Sequence, residues 1–352
     1  MLAANVNPFG IDFVILWVDG SDPTFVSRHA EALADERAQG VAIEDSPNRH
    51  RDSGELLFLL RSIEENMPWY RRIYVVTNGQ RPAYVDFASD RIRLVTHDQI
   101  FPKGVRTPSF NTFAIESCVH EIDGLSETFV RFSDDFFVGA PVARQQFLGP
   151  DGWGHPLFGE AVFNVDRHQY HQQLENAALK FREKFGFLPL MNHVHAPQLR
   201  RRSVMYDLVN AWPDWYAATR ASRFRSASDA NSFFLYPYFA LYHHRRADLV
   251  KFLREGDAPA ITNVYHPSHA KQRFFAWVLA GGKTEWRQKL KKVVADQPRF
   301  FNINDDMAAR PNPADIAFVG EQLRRMFPKP SPYENPAAPP PPYAAERPEG
   351  RR

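Results

Sequence analysis

The stretch FVILWVDGSDP, residues 13–23, decides the fold class. Its first six residues are β-branched, aromatic or aliphatic, and this composition predicts a strand over residues 13–18. The next five residues, DGSDP, have the composition of a tight turn and end that strand. The chain therefore begins with a strand whose carboxyl end carries two aspartates, Asp19 and Asp22.

Further strands alternate with helices along the first 150 residues. The predicted strands are RIYVVT at 72–77, IRLVT at 92–96 and TFVRF at 128–132. Apolar residues at helical spacing predict a helix over 55–67, and a second helix is predicted over 112–122. This alternation predicts an α/β fold with a doubly wound, mostly parallel sheet. Ligands bind such sheets off the carboxyl ends of the strands.

The pattern changes after this first part of the core, residues 1–150. Residues 151–290 are rich in aromatic residues, proline and histidine, and they predict a largely helical insertion. Residues 291–330 return to an α/β pattern that completes the core. The proline-rich composition of residues 331–352 predicts a disordered tail.

Charge and composition exclude several classes of function. The 43 basic and 41 acidic residues leave a net charge of only +2, which gives no reason to expect a nucleic-acid partner. The single cysteine, Cys118, excludes an internal disulfide and a cysteine-rich metal site. The apolar run near the N-terminus is too short for a signal peptide or a membrane span, so we expect a cytoplasmic protein with at most peripheral membrane association.

Acidic residues follow two of the predicted strands. Asp19 and Asp22 come after the first strand, and Asp134 and Asp135 come after the fourth. Because the carboxyl ends of parallel strands share one edge, these side chains should converge on one crevice. Two adjacent carboxylates repel each other unless a cation compensates them, which favours a site for Mg²⁺ or Mn²⁺.

Arginines and one histidine supply the complementary chemistry. The planar guanidinium group suits phosphate oxygens, and several arginines lie in aromatic surroundings. The candidates are Arg200, Arg201, Arg202, Arg223 and Arg225. His195 precedes the first arginine run in a His-Ala-Pro turn and is a candidate general base. The pairs His243/His244 and His266/His269 give only a weak zinc signal, since no HExxH arrangement accompanies them.

Four ordered regions of the chain together resemble the Stealth family, the hexose-1-phosphate transferases of bacterial capsule synthesis that are related to the animal GlcNAc-1-phosphotransferase. The first is IDFVILWVDGSDP, residues 11–23. The second joins residues 51–80 with PSFNTFAIES, 108–117, and GLSETFVRFSDDFFVG, 124–139. The third joins residues 192–202 with RFRSASD, 223–229, and LYPYFALY, 235–242. The fourth joins FFNINDDM, 300–307, with FPKPSPYE, 327–334.

The resemblance implies a GT-A-like nucleotide-sugar fold, with residues 151–290 as a lid on the acceptor side. It also implies a divalent cation, Mg²⁺ or Mn²⁺, a UDP-sugar donor and a glycan acceptor. Hexose-1-phosphate, for example GlcNAc-1-phosphate, would be transferred to a glycan hydroxyl with release of UMP, so that a phosphodiester forms in a capsular or other surface polysaccharide.

The same resemblance implies roles for particular residues. The implied catalytic residues are His195, Asp135 and Arg225. The nucleotide sugar would be bound by Asp19, Gly20, Ser21, Asp22, Asn78, Gly79, Gln80 and Glu116, with Arg202 and Arg223 as further candidates. The metal would be held by Asp134, Asp135 and Asp306, with Asn304 and Asp305 beside them. Either His195 or Asp135 would accept the proton of the attacking hydroxyl.

Two other functions are compatible with these residues. A metal-dependent glycosyltransferase would transfer the sugar alone and release UDP. A non-catalytic protein would bind the nucleotide sugar without turning it over, with the proline-rich tail as an interaction element.

Overall fold

The computed structural model describes residues 10–345, apart from 41–42, 44, 150–151, 155, 157, 164–168, 246–274, 283–284 and 308. In chain order its strands and helices are β1 (Asp12–Leu16), α1 (Pro23–Ala38), α2 (Glu55–Asn66), β2 (Ile73–Thr77), β3 (Ile92–Thr96), α3 (His97–Ile100), α4 (Thr112–Glu116), β4 (Thr128–Ser133), β5 (Phe136–Val138), α5 (Arg144–Phe147), β6 (Phe158–Ala161), α6 (Gln169–Phe185), β7 (Met191–His193), β8 (Gln198–Arg201), α7 (Arg202–Ala211), α8 (Pro213–Ala221), α9 (Ser232–His244), β9 (Phe275–Ala280), α10 (Trp286–Asp296), β10 (Phe300–Asp305) and α11 (Pro313–Met326).

The central sheet has the strand order β3-β2-β1-β4-β8. The first four strands in this order are parallel, and β8 pairs antiparallel with β4 at the edge. The prediction of an α/β fold with a mostly parallel sheet is therefore confirmed. The chain runs outward from β1 to β2 and β3 and then returns to place β4 on the other side of β1, so the order reverses between β1 and β4.

Both faces of this sheet are buried, because alternate residues of each strand point to opposite faces. In β1, Phe13 and Ile15 join one hydrophobic cluster with α2 and the C-terminal elements. Val14 joins a second cluster with residues of α4 and α6 to α9. This arrangement explains the nearly continuous apolar runs in the parallel strands.

A second sheet of three strands, β5-β10-β9, packs on the α2 side. Strand β10 pairs antiparallel with β5 and parallel with β9. Two side chains of α2 fix the position of β5. The Asn66 amide donates to the carbonyl of Val138 at 2.7 Å, and the Val138 N–H donates to the hydroxyl of Ser62 at 3.1 Å. The C-terminal part of the chain is thereby brought close to β4.

The region predicted as largely helical also contains strands. Helices α6 to α9 account for about half of its described residues, but β6 pairs with β7, β8 extends the central sheet, and β9 joins the second sheet. Strands β6, β7 and β8 have three or four residues each, too short for a reliable alternation in sequence. The predicted helix over 112–122 is also interrupted. Helix α4 ends at Glu116, and a short 3₁₀ turn follows at Val119–Glu121.

The prediction that residues 331–352 form a disordered tail is wrong for residues 331–345, here called the C-terminal strap. Tyr333 and Tyr343 are buried in the core cluster on the α2 side. Arg61 donates to both carboxylate oxygens of Glu334, at 2.7 and 2.8 Å. Although the prolines limit regular secondary structure, two tyrosines and one ion pair anchor the strap. Residues 346–352 lie outside the described residues.

The close approach of the strap depends on a glycine before α2. Gly54 has a positive φ of +105°, and a Cβ placed on it would lie 2.7 Å from Cγ of Pro341. A residue with a side chain would therefore be strained and would also push the strap away. Across the described part of the chain, no helix combines the length and the apolar character needed to cross a lipid bilayer.

Candidate active site

A cleft of about 320 Å³ opens where parallel strands of the central sheet end. Residues 16–18 come from the end of β1, Asn78 follows β2, and residues 133–135 come from the end of β4. The cleft thus lies beside the point where the strand order reverses, which is where open α/β sheets bind ligands.

Two adjacent carboxylates, Asp134 and Asp135, form an acidic side of the cleft. Burial, followed by the charges of Asp135 and Asp52, raises the pKa of Asp134 well above its ordinary value. Burial also raises the pKa of Asp135 to about 6, although the nearby Arg131 opposes this effect. Glu55, behind them, has a raised pKa because it is buried near Asp52 and Asp134. Such a concentration of carboxylates favours the binding of a cation.

A buried triad of charged groups forms the basic side. The Glu116 carboxylate lies between Arg131, with an N–O distance of 2.5 Å, and Arg200, with an N–O distance of 3.0 Å. One carboxylate between two guanidinium groups leaves a net positive charge. The Nε atom of Arg131 is buried and has no hydrogen-bond partner among the described residues. An unused buried donor of this kind is suited to a bound oxyanion.

His195 lies next to both the acidic and the basic groups. Its Nε2 atom is 3.8 Å from a carboxylate oxygen of Asp135, and its ring packs edge-on against Phe136 with centroids 4.7 Å apart. Desolvation within the cleft, followed by the charges of Arg131 and Arg225, lowers the pKa of His195, although 45% of its side chain stays accessible to solvent. The imidazole is therefore neutral at neutral pH, and an anion that compensated the two arginines would raise its proton affinity.

Arg225 reaches the cleft from the loop before α9. Its Nη2 atom donates to the hydroxyl of Thr112 at 2.6 Å. Burial, followed by the charge of Arg49, lowers the pKa of Arg225 to about 10, so the guanidinium remains charged at neutral pH. Arg225, Arg131 and Arg49 all line the cleft.

A second pocket of about 270 Å³ shares Phe25, Asn78 and Phe110 with the main cleft. Its lining also includes three residues that the sequence assigned to nucleotide binding, namely Asp22, Gly79 and Gln80. The predicted nucleotide residues after β1 and β2 therefore lie mainly in this adjoining pocket.

The DGSDP turn is held by its own side chains. Asp19 Oδ1 accepts hydrogen bonds from the N–H and the hydroxyl of Ser21, at 2.8 and 2.7 Å. Asp22 caps α1 by accepting a bond from the N–H of Phe25 at 2.8 Å. The N–H of Gly20 donates to the carbonyl of His50 at 2.5 Å. These contacts give Asp19 and Asp22 structural roles in the turn.

The Gln80 amide connects the turn after β1 with the loop after β2. Its Nε2 donates to the carbonyl of Asp19 at 2.6 Å, and its Oε1 accepts from the N–H of Asp19 at 3.0 Å. Asp19, Gly20 and Ser21 are not among the residues that line either pocket. Gln80 and Asp19 thus fix the relative position of two loops.

The structure brings together six of the predicted site residues in the main cleft. These are Asn78, Glu116, Asp134, Asp135, His195 and Arg225. Three more, Arg202, Arg223 and Asp306, lie outside both pockets, as do Asp19, Gly20 and Ser21. Arg202 donates to the carbonyl of His120 at 2.7 Å, and the Arg223 guanidinium stacks on the ring of Phe110. Asp306 is exposed, whereas its neighbours Asn304 and Asp305 line the cleft.

The end of β10 accounts for the exposed position of Asp306, whose role as a metal ligand stays a prediction. The Asp306 N–H donates to the carbonyl of Ala280, just beyond the last pair of the second sheet. Asp305 instead forms an ion pair with Arg51, and its carbonyl accepts a bond from the Asn48 amide at 2.7 Å.

Sequence reasoning missed Arg131, Arg49 and Asn48 as residues of the cleft. Arg131 carries a signal that could have identified it, since it is the one charged residue in the strand TFVRFS. A cation in a buried strand needs an anionic partner, and this requirement marks it as more than a packing residue.

Solved structures similar to this chain include the galactosyltransferase LgtC in complex with donor and acceptor sugar analogs. The TM-score is 0.33 with 13% identity, over 63% of this chain and 70% of that chain. Mouse xyloside xylosyltransferase 1 in its apo form is similar with a TM-score of 0.35 and 12% identity, over 83% of this chain and 97% of that chain.

Curated relatives are more similar in sequence. An exopolysaccharide phosphotransferase of Streptomyces coelicolor is 37% identical over 339 residues, which cover 93% of this chain and 57% of the relative. The exopolysaccharide phosphotransferase CpsY of Mycobacterium tuberculosis H37Rv is 31% identical over 341 residues, which cover 94% of this chain and 59% of the relative. The chain spans from 33% to 62% of the length of such relatives.

Three conserved regions of one family match the chain in order. Stealth protein conserved region 1 matches residues 9–37, conserved region 2 matches 49–154, and conserved region 3 matches 194–242. Together they cover more than half of the chain. The fourth region, expected at residues 300–307 and 327–334, stays a prediction. The matched regions contain β1, β2, β4 and the loops that carry Asp135, His195 and Arg225, and on this basis the chain belongs to the Stealth family.

Proposed function

We propose that this protein transfers hexose-1-phosphate from a UDP-sugar to a hydroxyl group of a glycan, with release of UMP, in the synthesis of an exopolysaccharide or capsule. The observation that carries the proposal is the pairing of two kinds of charge in one cleft. Asp134 and Asp135 suit a metal ion, and Arg131 offers a buried, unused Nε donor to an oxyanion. The names of the relatives, exopolysaccharide phosphotransferases, support the same reaction class.

The residues present fit a divalent cation. Asp134 and Asp135 are neighbours whose raised pKa values reflect burial without sufficient compensating charge. They would hold Mg²⁺ or Mn²⁺, ions that prefer carboxylate oxygens. When bound, the ion would neutralise part of the charge of the donor diphosphate.

The arginines act on the phosphoryl group that is transferred. Arg131 and Arg225 line the same cleft as His195. They would bind the non-bridging oxygens of the donor and stabilise the charge that develops there in the transition state. Because Glu116 and Thr112 hold these arginines in place, little reorganisation is needed during the reaction.

The chemical step forms one P–O bond and breaks another. The acceptor hydroxyl attacks the β-phosphorus of the UDP-sugar, and its proton passes to the His195–Asp135 pair. The bond between the β-phosphorus and the bridging oxygen breaks, and UMP leaves with that oxygen. The bond between the sugar and its phosphate is untouched, so the anomeric configuration is retained in the phosphodiester product.

A panel of UDP-sugars tests this proposal. The purified chain is incubated with each donor, candidate glycan acceptors and Mn²⁺, and UMP and UDP are quantified. We expect UMP with at least one donor and a fall of about 10²–10⁴-fold in rate for His195→Asn and Asp135→Asn. His244→Asn, outside the cleft, is the matched control. Release of UDP would instead support a glycosyltransferase, and binding without turnover of any donor would support a non-catalytic protein.

A further inference from the structure

A cluster of two histidines and one aspartate lies beside the cleft, outside the acidic pair described above. His29 belongs to α1, and Asp45 and His50 belong to the connection between α1 and α2. One potential ligand atom from each of the three side chains lies within 4.8 Å of the other two. His29 Nε2 is 3.4 Å from Asp45 Oδ1, and His50 Nε2 is 3.9 Å from the same oxygen.

These distances suit a shared metal ion better than direct hydrogen bonds. Hydrogen bonds from nitrogen to oxygen usually measure about 2.7–3.2 Å. His29 Nε2 is buried and has no hydrogen-bond partner among the described residues. In a tetrahedral site with metal–ligand bonds of about 2.0–2.1 Å, neighbouring ligand atoms lie about 3.4 Å apart. The separation of His29 Nε2 and Asp45 Oδ1 has this value, and the 3.9 Å between His50 Nε2 and the same oxygen is only slightly longer.

Aromatic side chains hold both imidazole rings in place. The His29 ring stacks on Phe25 and meets Phe110 and Phe224 edge-on, with centroids 5.5, 4.9 and 5.4 Å away. The His50 ring is 5.2 Å from that of Phe25. An apolar shell of this kind orients metal ligands and limits access of water.

The chemistry of the donors selects the metal. Two imidazole nitrogens and one carboxylate oxygen are typical ligands of Zn²⁺, whereas Mg²⁺ prefers oxygen ligands alone. We propose that His29, Asp45 and His50 form a zinc site, separate from the proposed site at Asp134 and Asp135. Three protein ligands leave the fourth position of the tetrahedron to water.

The position of the cluster indicates what bound zinc would do. The segment that follows Asp45 carries Asn48, Arg49 and Arg51 into the lining of the cleft, and His50 of the cluster lines it as well. Zinc would fasten this segment to α1 and so fix that wall of the cleft. The site does not depend on the reaction proposed above, because its evidence is the geometry of three side chains.

Metal binding by the full chain tests the site directly. The protein is stripped with a chelator and titrated with Zn²⁺ in competition with a chromogenic chelator, with Mg²⁺ in excess. We expect one tightly bound zinc per chain that Mg²⁺ does not displace. His29→Asn should weaken zinc binding by about 100-fold or more, since loss of even an outer-shell partner costs about 10–100-fold.

The matched control is His244→Asn, because His244 Nε2 lies 3.5 Å from an oxygen of Asp207, a pair with similar spacing. This variant should bind zinc as the wild type does. Circular dichroism of the metal-free proteins shows whether His29→Asn is folded, and Asp45→Asn serves if it is not. Co²⁺ in the wild type should give the visible bands of tetrahedral coordination. Absence of stoichiometric zinc, or equal affinity in the His29 and His244 variants, would overturn the proposal.

Discussion

Arg131 carries a positive charge inside β4, a strand whose other residues are largely apolar. The Glu116 carboxylate compensates it but is shared with Arg200, so the buried group keeps a net positive charge. Phe233 packs near the guanidinium, 5.3 Å from its central carbon to the ring centroid. A buried charge of this kind is costly unless an anion arrives to complete its hydrogen bonds. In the proposed function, a phosphoryl group supplies that anion.

Replacement of Arg131 by lysine tests this role. Lysine keeps the charge but loses the planar fork that contacts Glu116 and that would, in the proposed function, also contact a phosphoryl oxygen. We expect Arg131→Lys to lower kcat by about 10²–10³-fold, the usual effect of losing one donor to a developing oxyanion. Arg202→Lys, outside the cleft, should retain most of the activity. Equal losses in steady-state assays of the two variants would contradict the role of Arg131.

A second prediction for a single residue concerns Asp229 and the dependence of protein stability on pH. Burial raises its pKa from 3.8 to about 6, although it accepts bonds from Asn111 and Ser226. The folded state thus holds the proton more tightly than the unfolded state. The stability contributed by Asp229 is complete below about pH 4 and is lost as the pH rises through 6.

Asp229→Asn removes this dependence while keeping an oxygen acceptor. Relative to the wild type, its free energy of unfolding should rise by on the order of 1–3 kcal/mol between pH 4 and pH 7. Urea denaturation at several pH values measures the difference. Asp123→Asn, at an exposed position, is the control. Parallel pH profiles for wild type and Asp229→Asn would show that burial of this carboxyl is not costly.

At the scale of elements, α2 is buried on more than the face that its sequence pattern predicts. The apolar face predicted for this helix contains Leu56 and Leu59, yet Leu57 and Phe58 are buried too, because the helix is covered by the sheet on one side and by the second sheet and the strap on others. The N–H of Tyr343 in the strap donates to the carbonyl of Ser53 at 2.7 Å, just before the helix. The strap is therefore part of the core.

Truncation of one strap side chain measures its contribution. Tyr343→Ala removes a buried aromatic ring and should lower the free energy of unfolding by about 3–5 kcal/mol. Lys329→Ala, at an exposed position before the strap, should change it by less than about 0.5 kcal/mol. Both values come from urea denaturation. If the two variants were equally stable, the strap would not be packed as described.

The sequence predicts elements well where local pattern and tertiary packing agree. Apolar runs in parallel strands are bounded by turn residues, and this makes the strands easy to recognise. Strand β3 has the predicted bounds, and β1, β2 and β4 differ from the prediction by only one or two residues at some ends. The packed strap and β8 could not be predicted from local sequence, because contacts with distant parts of the chain hold them in place. Tyr333 and Tyr343 meet α2 across the fold, and β8 pairs with β4.

The same reasoning explains which site residues could be predicted. Asp134, Asp135 and His195 lie next to turns at strand ends, where residue type and position together indicate function. Arg202 and Asp306 have the right chemistry, but the side chain of Asp306 is exposed and Arg202 is engaged elsewhere. Residue type alone does not reveal the direction of a side chain.

For the whole molecule, the cleft is assembled from distant parts of the chain. Its lining extends from Leu16 to Asp305, and the two hydrophobic clusters on opposite faces of the sheet hold these parts together. The acidic pair comes from the first 150 residues, whereas the arginines come from both that part and the later region. An activity that needs metal, diphosphate and base in one place therefore requires the complete fold.

The most direct test of the proposed reaction is the ³¹P NMR spectrum of the purified glycan product, formed from a donor that the protein turns over. Transfer of hexose-1-phosphate predicts a phosphodiester resonance in the glycan, matched by one UMP released for each sugar added. A glycan that gains the sugar but no phosphorus, with UDP in solution, would contradict the account.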